Sequence, residues 1–208
     1  MKLVDLSIRD FAQVLGSDAP APGGGSAAAL AAANGISLTK MVCELTLGKK
    51  KYVAEQELIQ EVHSESARLQ ETLLEAIDKD TEAFNDVSAV FSMPKDTEEE
   101  KQARLKALQE ALKNATLSPY RMMEVILQAL ETTQKAVGHS NTNAASDLGV
   151  AALHLKSGLY GAWLNVLINL SGIKDSEFTE DYRNKAQALL EQGSVIANDI
   201  YKNIEASL

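Results

Sequence analysis

Apolar residues recur at spacings of three and four along most of the chain, and no segment alternates with the period of two that a half-buried strand requires. The pattern predicts helices throughout. Ser7 with Asp10 starts a short helix that fades at Gly16. Residues 18–25, Asp-Ala-Pro-Ala-Pro-Gly-Gly-Gly, read as a loop, and Ser26 as the N-cap of a helix running to about Leu47, with Gly48 just past its end. A long helix follows from about Tyr52 to Ser92 and is stopped by Met93-Pro94-Lys95. Thr97 and Glu100 form a capping box for a charged helix over about 98–114. Ser118-Pro119 opens a separate helix that ends near Gly138, with Pro119 at its first position. Residues 139–145 form a loop, Ser146 or a neighbour caps a helix ending at Gly172, and residues 176–208 make the last helix. No repeat and no linker divides the 208 residues, so a single domain is expected. Two apolar helices wrapped by longer amphipathic ones make an all-α, multihelical antiparallel bundle.

Composition sharpens this picture. Charged residues are 24% of the chain, and a net charge of −9 with no basic run beyond Lys49-Lys50-Lys51 argues against nucleic acid and an anionic membrane as main partners and leaves room for a local basic pocket for a small anion. One cysteine, Cys43, excludes an internal disulfide and a cysteine-based zinc site. Residues 19–39 and 157–173 carry no charge, yet the first spends its start on prolines and glycines and the second holds Asn165 and Asn169. Both read as buried helices rather than membrane spans, and the expected location is the cytoplasm.

Three places break the pattern. The apolar stripe of the long helix reads Ile59, Val62, Ser66, Leu69, Leu73, Ile77, Asp80, Phe84, Val87, Phe91. Asp80 therefore falls on the core face, where an unpaired carboxylate is costly or has a raised pKa. That environment suits a proton donor or acceptor; the bland reading is a structural carboxylate that caps a helix or pairs with a lysine. Asp78 lies off the stripe and reads as solvated.

The second break is the loop Pro20-Ala21-Pro22-Gly23-Gly24-Gly25-Ser26. Its glycines let backbone N–H groups approach a ligand at a helix N-terminus, or simply let an alanine-rich helix pack closely. No Lys-Ser or Lys-Thr closes it as in a phosphate loop.

The third is a polar and small stripe on one late helix: Asp147, Ala151, His154, Gly158, Ala162, Asn165, Asn169. It either packs against another backbone or lines a polar pocket. Lys49, Lys50 and Lys51 read as a solvated helix end or as a grip on an anionic substrate tail. His154 stands alone, which argues against a metal. Cys43 reads as a core residue.

Four motifs in this order are similar to one family. Ala-Pro-Gly-Gly-Gly-Ser-Ala-Ala-Ala at 21–29, Asp-Thr-Glu-Ala-Phe at 80–84, Ser-Asp-Leu-Gly-Val-Ala-Ala at 146–152 and Gly-Ala-Trp-Leu-Asn-Val-Leu-Ile-Asn-Leu at 161–170 resemble the cyclodeaminase domain of formiminotransferase-cyclodeaminase. They equally resemble its stand-alone bacterial relatives, some of which are methenyltetrahydrofolate cyclohydrolases. The resemblance implies an all-helical, tightly associated homodimer that acts on tetrahydrofolate one-carbon units without a metal or any cofactor beyond the folate. It implies Asp80 as the catalytic carboxylate. It implies that Pro22, Gly23, Gly24, Gly25, Ser26, Ser146, Asp147 and Asn165 shape the pterin pocket, and that Lys49 to Lys51 receive a polyglutamate tail. His154 and Asn143 depart from the family pattern and stay outside the site. The expected reaction is conversion of 5-formiminotetrahydrofolate to 5,10-methenyltetrahydrofolate and ammonia. Cyclohydrolase activity is one alternative and a non-catalytic folate-binding dimer is another. A formiminotransferase, where one takes part, is expected as a separate protein.

Overall fold

The computed structural model describes residues 2–208. Among them there is no strand. Six α-helices follow in order: α1 Ile8–Leu15, α2 Gly24–Glu44, α3 Gln56–Val90, α4 Glu98–Ala136, α5 Ala145–Leu170 and α6 Ser176–Glu205. Short 3-10 turns cover Leu3–Asp5, Lys50–Glu55 and Thr142–Ala144.

Local chemistry sets most of the boundaries. Ser7 Oγ accepts the Asp10 N–H, and the Thr97–Glu100 capping box is present in both directions. Gly48 and Gly138 both take a left-handed φ, +73° and +81°, where the chain turns after α2 and α4. Asp175 caps α6 through the Phe178 N–H.

Several boundaries differ from expectation. Ser26 is not an N-cap: α2 begins at Gly24 with Gly23 as its cap, and the Ser26 hydroxyl reaches across to the Ile77 carbonyl of α3 at 2.7 Å. Ser146 likewise lies inside the first turn of α5; Asn141 does the capping, accepting from the Asn143 N–H ahead of the 3-10 turn that leads into α5. Asp78 is not simply solvated, because its carboxylate accepts the Leu3 N–H at 2.6 Å and holds the N-terminal turn against α3. The two helices expected on either side of Pro119 are one 39-residue helix, α4, with the proline buried inside it.

Interhelix contacts make neighbours antiparallel. Gly24 meets Asn165 while Gly35 meets Ala151, which runs α2 against α5. Lys135–Glu61 and Arg68–Gln128 run α4 against α3. The core is formed by side chains such as Ile36, Ile59, Leu69, Leu73, Met123 and Leu155, each 0% exposed. Helices α2 and α5 lie at its centre, and their approach is close. A methyl group on Gly158 would stand 2.8 Å from the Ala28 carbonyl oxygen, and one on Gly35 2.9 Å from that of Ala151. This backbone proximity explains the small residues of the α5 stripe. Cys43 is enclosed as well, and burial pushes its thiol up to about 11. Among the described residues no helix is long and apolar enough to cross a membrane.

Candidate active site

The core stripe of α3 stays buried as far as Ile77 and then opens. Asp80 is half-buried, and Phe84 and Phe91 beyond it are 41% and 60% exposed, unlike the core positions their spacing predicts. Asp80 and Phe84 border a cavity of about 330 Å³ where the N-terminus of α2, the C-terminal half of α3, the middle of α4 and the end of α5 converge. Gly23, Gly24, Asp80, Phe84, Asn165 and Asn169 are among its walls. That volume lies at the small end of ligand sites.

Asp80 is placed by the glycine loop. A methyl group built on Gly25 would overlap the Asp80 carboxyl group, so only glycine lets the carboxylate lie against the first turn of α2. Burial holds the Asp80 pKa above the ordinary carboxylate value, and a hydrogen bond from the Ser26 backbone N–H opposes the shift in part. The Ser26 hydroxyl also meets Thr81 Oγ1 at 3.2 Å. Asp80 has no lysine or arginine partner among the described residues, which removes the salt-bridge reading. A half-buried carboxyl with a raised pKa at the wall of a cavity is suited to taking and returning a proton.

The loop itself arrives through a cis Ala21–Pro22 peptide bond, and Pro22 is buried behind it. Gly23 and Gly24 line the cavity. Asn165 stands opposite them: a methyl group on Gly24 would lie 3.4 Å from its Nδ2.

The other expected site residues are elsewhere. Lys49, Lys50 and Lys51 sit at the far end of α3, roughly 36 Å from Asp80 at ~1.5 Å per helical residue. Lys51 donates to Thr142 Oγ1, and Tyr52, whose hydroxyl accepts the Thr142 N–H, has its pKa lowered to about 8 by its hydrogen bonds with Thr142 and then by Lys51. Ser146 and Asp147 begin α5 at that same end, and His154 lies part way along. Helix length separates them from the cavity within one chain, so the expected grouping of Ser146, Asp147 and the lysines with Asp80 does not form there. Asn169 lines the cavity instead. Its signal was present, since it continues the polar stripe one turn beyond Asn165. Ala115 and Ile168 carry no such signal.

A wider groove of about 760 Å³ runs between α3 and α4 on the other side of Ala83. Its charged walls mix Lys79 and Arg121 with Glu82, Asp86 and Glu124. The smaller cavity is the one that the Asp80 carboxyl borders.

A family model described as formiminotransferase-cyclodeaminase matches residues 7–188. A methenyltetrahydrofolate cyclohydrolase of Methylorubrum extorquens is 39% identical over 202 residues, covering 97% of this chain and 97% of that protein. The formimidoyltransferase-cyclodeaminase of Rattus norvegicus is 36% identical over 208 residues, covering 98% of this chain; the chain spans only 38% of that protein's length. The crystal structure of a formiminotetrahydrofolate cyclodeaminase from Thermotoga maritima shares the fold with a TM-score of 0.81 at 26% identity, over 100% of this chain and 98% of that one.

Proposed function

We propose that this chain, which belongs to the formiminotransferase-cyclodeaminase family, closes the ring of 5-formiminotetrahydrofolate to give 5,10-methenyltetrahydrofolate and ammonia. It is an enzyme of folate one-carbon chemistry. The observation that supports the reaction is the Asp80 carboxyl, packed on Gly25 at the wall of the cavity with its pKa held up by burial. N10 of the folate attacks the formimino carbon. Asp80 takes the N10 proton and returns it to the departing nitrogen, so one carboxyl relays one proton and the carbon passes through a tetrahedral state. Holding N5 and N10 in ring-closing geometry supplies much of the remaining acceleration.

The cyclohydrolase reading has an observation of its own: the Methylorubrum extorquens protein of that name is 39% identical over 97% of this chain. Water would then add to 5,10-methenyltetrahydrofolate, Asp80 acting as its base, to give 10-formyltetrahydrofolate. One purified sample assayed with both substrates decides. Turnover of 5-formiminotetrahydrofolate supports the first reaction, and turnover of 5,10-methenyltetrahydrofolate alone the second.

The proposal includes a homodimer. Along the uncharged stretch 157–173, α5 leaves Leu164 and Ile168 63% and 67% exposed. A chain of net charge −9 meets a second copy with least repulsion across a face that carries no charge. Ile168 also lines the cavity, so the second subunit would help close it.

A further inference from the structure

The polar side chains that line the cavity are those of Asp80, Thr81, Asn165 and Asn169. Their hydrogen bonds determine what each has left to offer a ligand. The Thr81 hydroxyl is engaged with Ser26. Asn165 Nδ2 donates to the Gly161 carbonyl at 2.9 Å, and Asn169 Nδ2 donates to the Ala115 carbonyl at 2.8 Å. Flipping either amide would set oxygen against oxygen, so both orientations are locked. Each asparagine keeps its Oδ1 and the second hydrogen on Nδ2, and among the described residues no protein donor reaches either Oδ1. Ionised Asp80 only accepts. No lysine or arginine lines the cavity. Asn165 and Asp80 pack on the adjacent residues Gly24 and Gly25, which brings the two groups to one turn of α2.

We propose that Asn165 Oδ1, seconded by Asn169 Oδ1, accepts an N–H of the terminal nitrogen on the substrate's one-carbon unit, and so selects an amidinium over an isosteric carbonyl. The inference rests on the folate reading above and names the contact that sets its specificity. A protonated formimino group ends in =NH2+, with two N–H donors and a positive charge. One N–H faces Asp80 and the other Asn165. A formyl group on N5 has the same shape but ends in oxygen, which can donate neither to Asp80 nor to Asn165 Oδ1 and carries no positive charge to meet the carboxylate. A site built to receive donors rejects such an analogue strongly, because its own polar groups are left unpaired. The contacts persist through the reaction. The N10–carbon bond forms, the proton passes from N10 through Asp80 to the terminal nitrogen, and the carbon–nitrogen bond breaks to release neutral ammonia and the methenyl cation. Charge and atoms balance, and no oxidant or reductant enters.

The test compares 5-formiminotetrahydrofolate with 5-formyltetrahydrofolate. The first is read by KM and the second by its inhibition constant; where the first is not turned over, calorimetry gives both affinities. The wild-type protein should favour the formimino compound by at least tenfold. Asn165→Leu, similar in size but without polar atoms, should weaken the formimino compound about tenfold and leave the formyl compound within twofold. Asn165→Ala, which adds no bulk, should behave alike and guards against a packing artefact. Equal weakening of both compounds overturns the proposal and assigns Asn165 to the ring they share. No change in either overturns it as well and leaves Asn165 as a helix tie. A wild-type protein that binds neither compound overturns the folate reading and this inference with it. One that binds both equally overturns the inference alone.

Discussion

Asn169 on α5 supplies the hydrogen bond that Pro119 withholds on α4. Pro119 has no N–H, so the Ala115 carbonyl four residues earlier lacks its helical donor. Asn169 Nδ2 reaches that carbonyl at 2.8 Å. The helix therefore continues through the proline, and the residue that repairs it also lines the cavity. Repair of α4 and shaping of the site are thus joined in one side chain.

This relationship predicts a coupling. Asn169→Leu should destabilise the protein by about 1–3 kcal/mol, because it strands a carbonyl away from water. In a Pro119→Ala background, where the backbone N–H returns, the same change should cost much less. Denaturant unfolding of the four proteins gives the coupling directly. Strictly additive costs would show that Asn169 and Pro119 act independently.

Asp80→Asn separates chemistry from architecture. Asn keeps the shape and an acceptor for the Ser26 N–H but carries no titratable proton. Turnover should fall roughly 10²–10⁴-fold, with binding much less affected. The raised pKa of Asp80 means that the ionised form is the disfavoured one in the folded state, so wild-type stability from this group is present at low pH and declines as pH rises through that pKa. The mutant should melt at or above the wild type at neutral pH, and the gap should close as pH falls. Wild-type activity should drop along the same acidic limb as Asp80 takes up its proton. Near-normal turnover in a folded mutant would remove Asp80 from the mechanism.

Gly25→Ala should place a methyl group where the Asp80 carboxyl now lies. Overpacking of this kind costs about 1–3 kcal/mol, and activity should be lost with it. Combining it with Asp80→Ala should restore stability without restoring activity, as thermal melts would show. A cost that survives in the double mutant would mean that the methyl group meets something else.

Light scattering at micromolar concentration should give twice the 22.4 kDa chain mass. The interface should bury more than ~2,000 Å² in total. Leu164→Glu, on the uncharged face but not on the cavity wall, should split the dimer by bringing two carboxylates together. A folded wild-type monomer at that concentration would refute the dimer.

By itself the sequence determined the helical class, the caps at Ser7 and Thr97, the glycine ends at Gly48 and Gly138 and the anomaly at Asp80. Those depend on short-range periodicity and on side chains that bond within three or four residues, and both are written locally. The motif from Pro20 to Ser26 marked one wall of the site, because its run of glycines permits a close approach that other residues forbid. Only the tertiary structure decided the rest. Pro119 reads as a helix start until Asn169, fifty positions later, is seen to repair the break. Lys49 to Lys51 and Asp147 read as site residues because a sequence carries no length scale for where helices end; α3 and α5 carry them to the opposite end of the bundle. Gly25 reads as a turn residue until the Asp80 carboxyl, brought across by the packing of α3 on α2, occupies the space its missing side chain leaves.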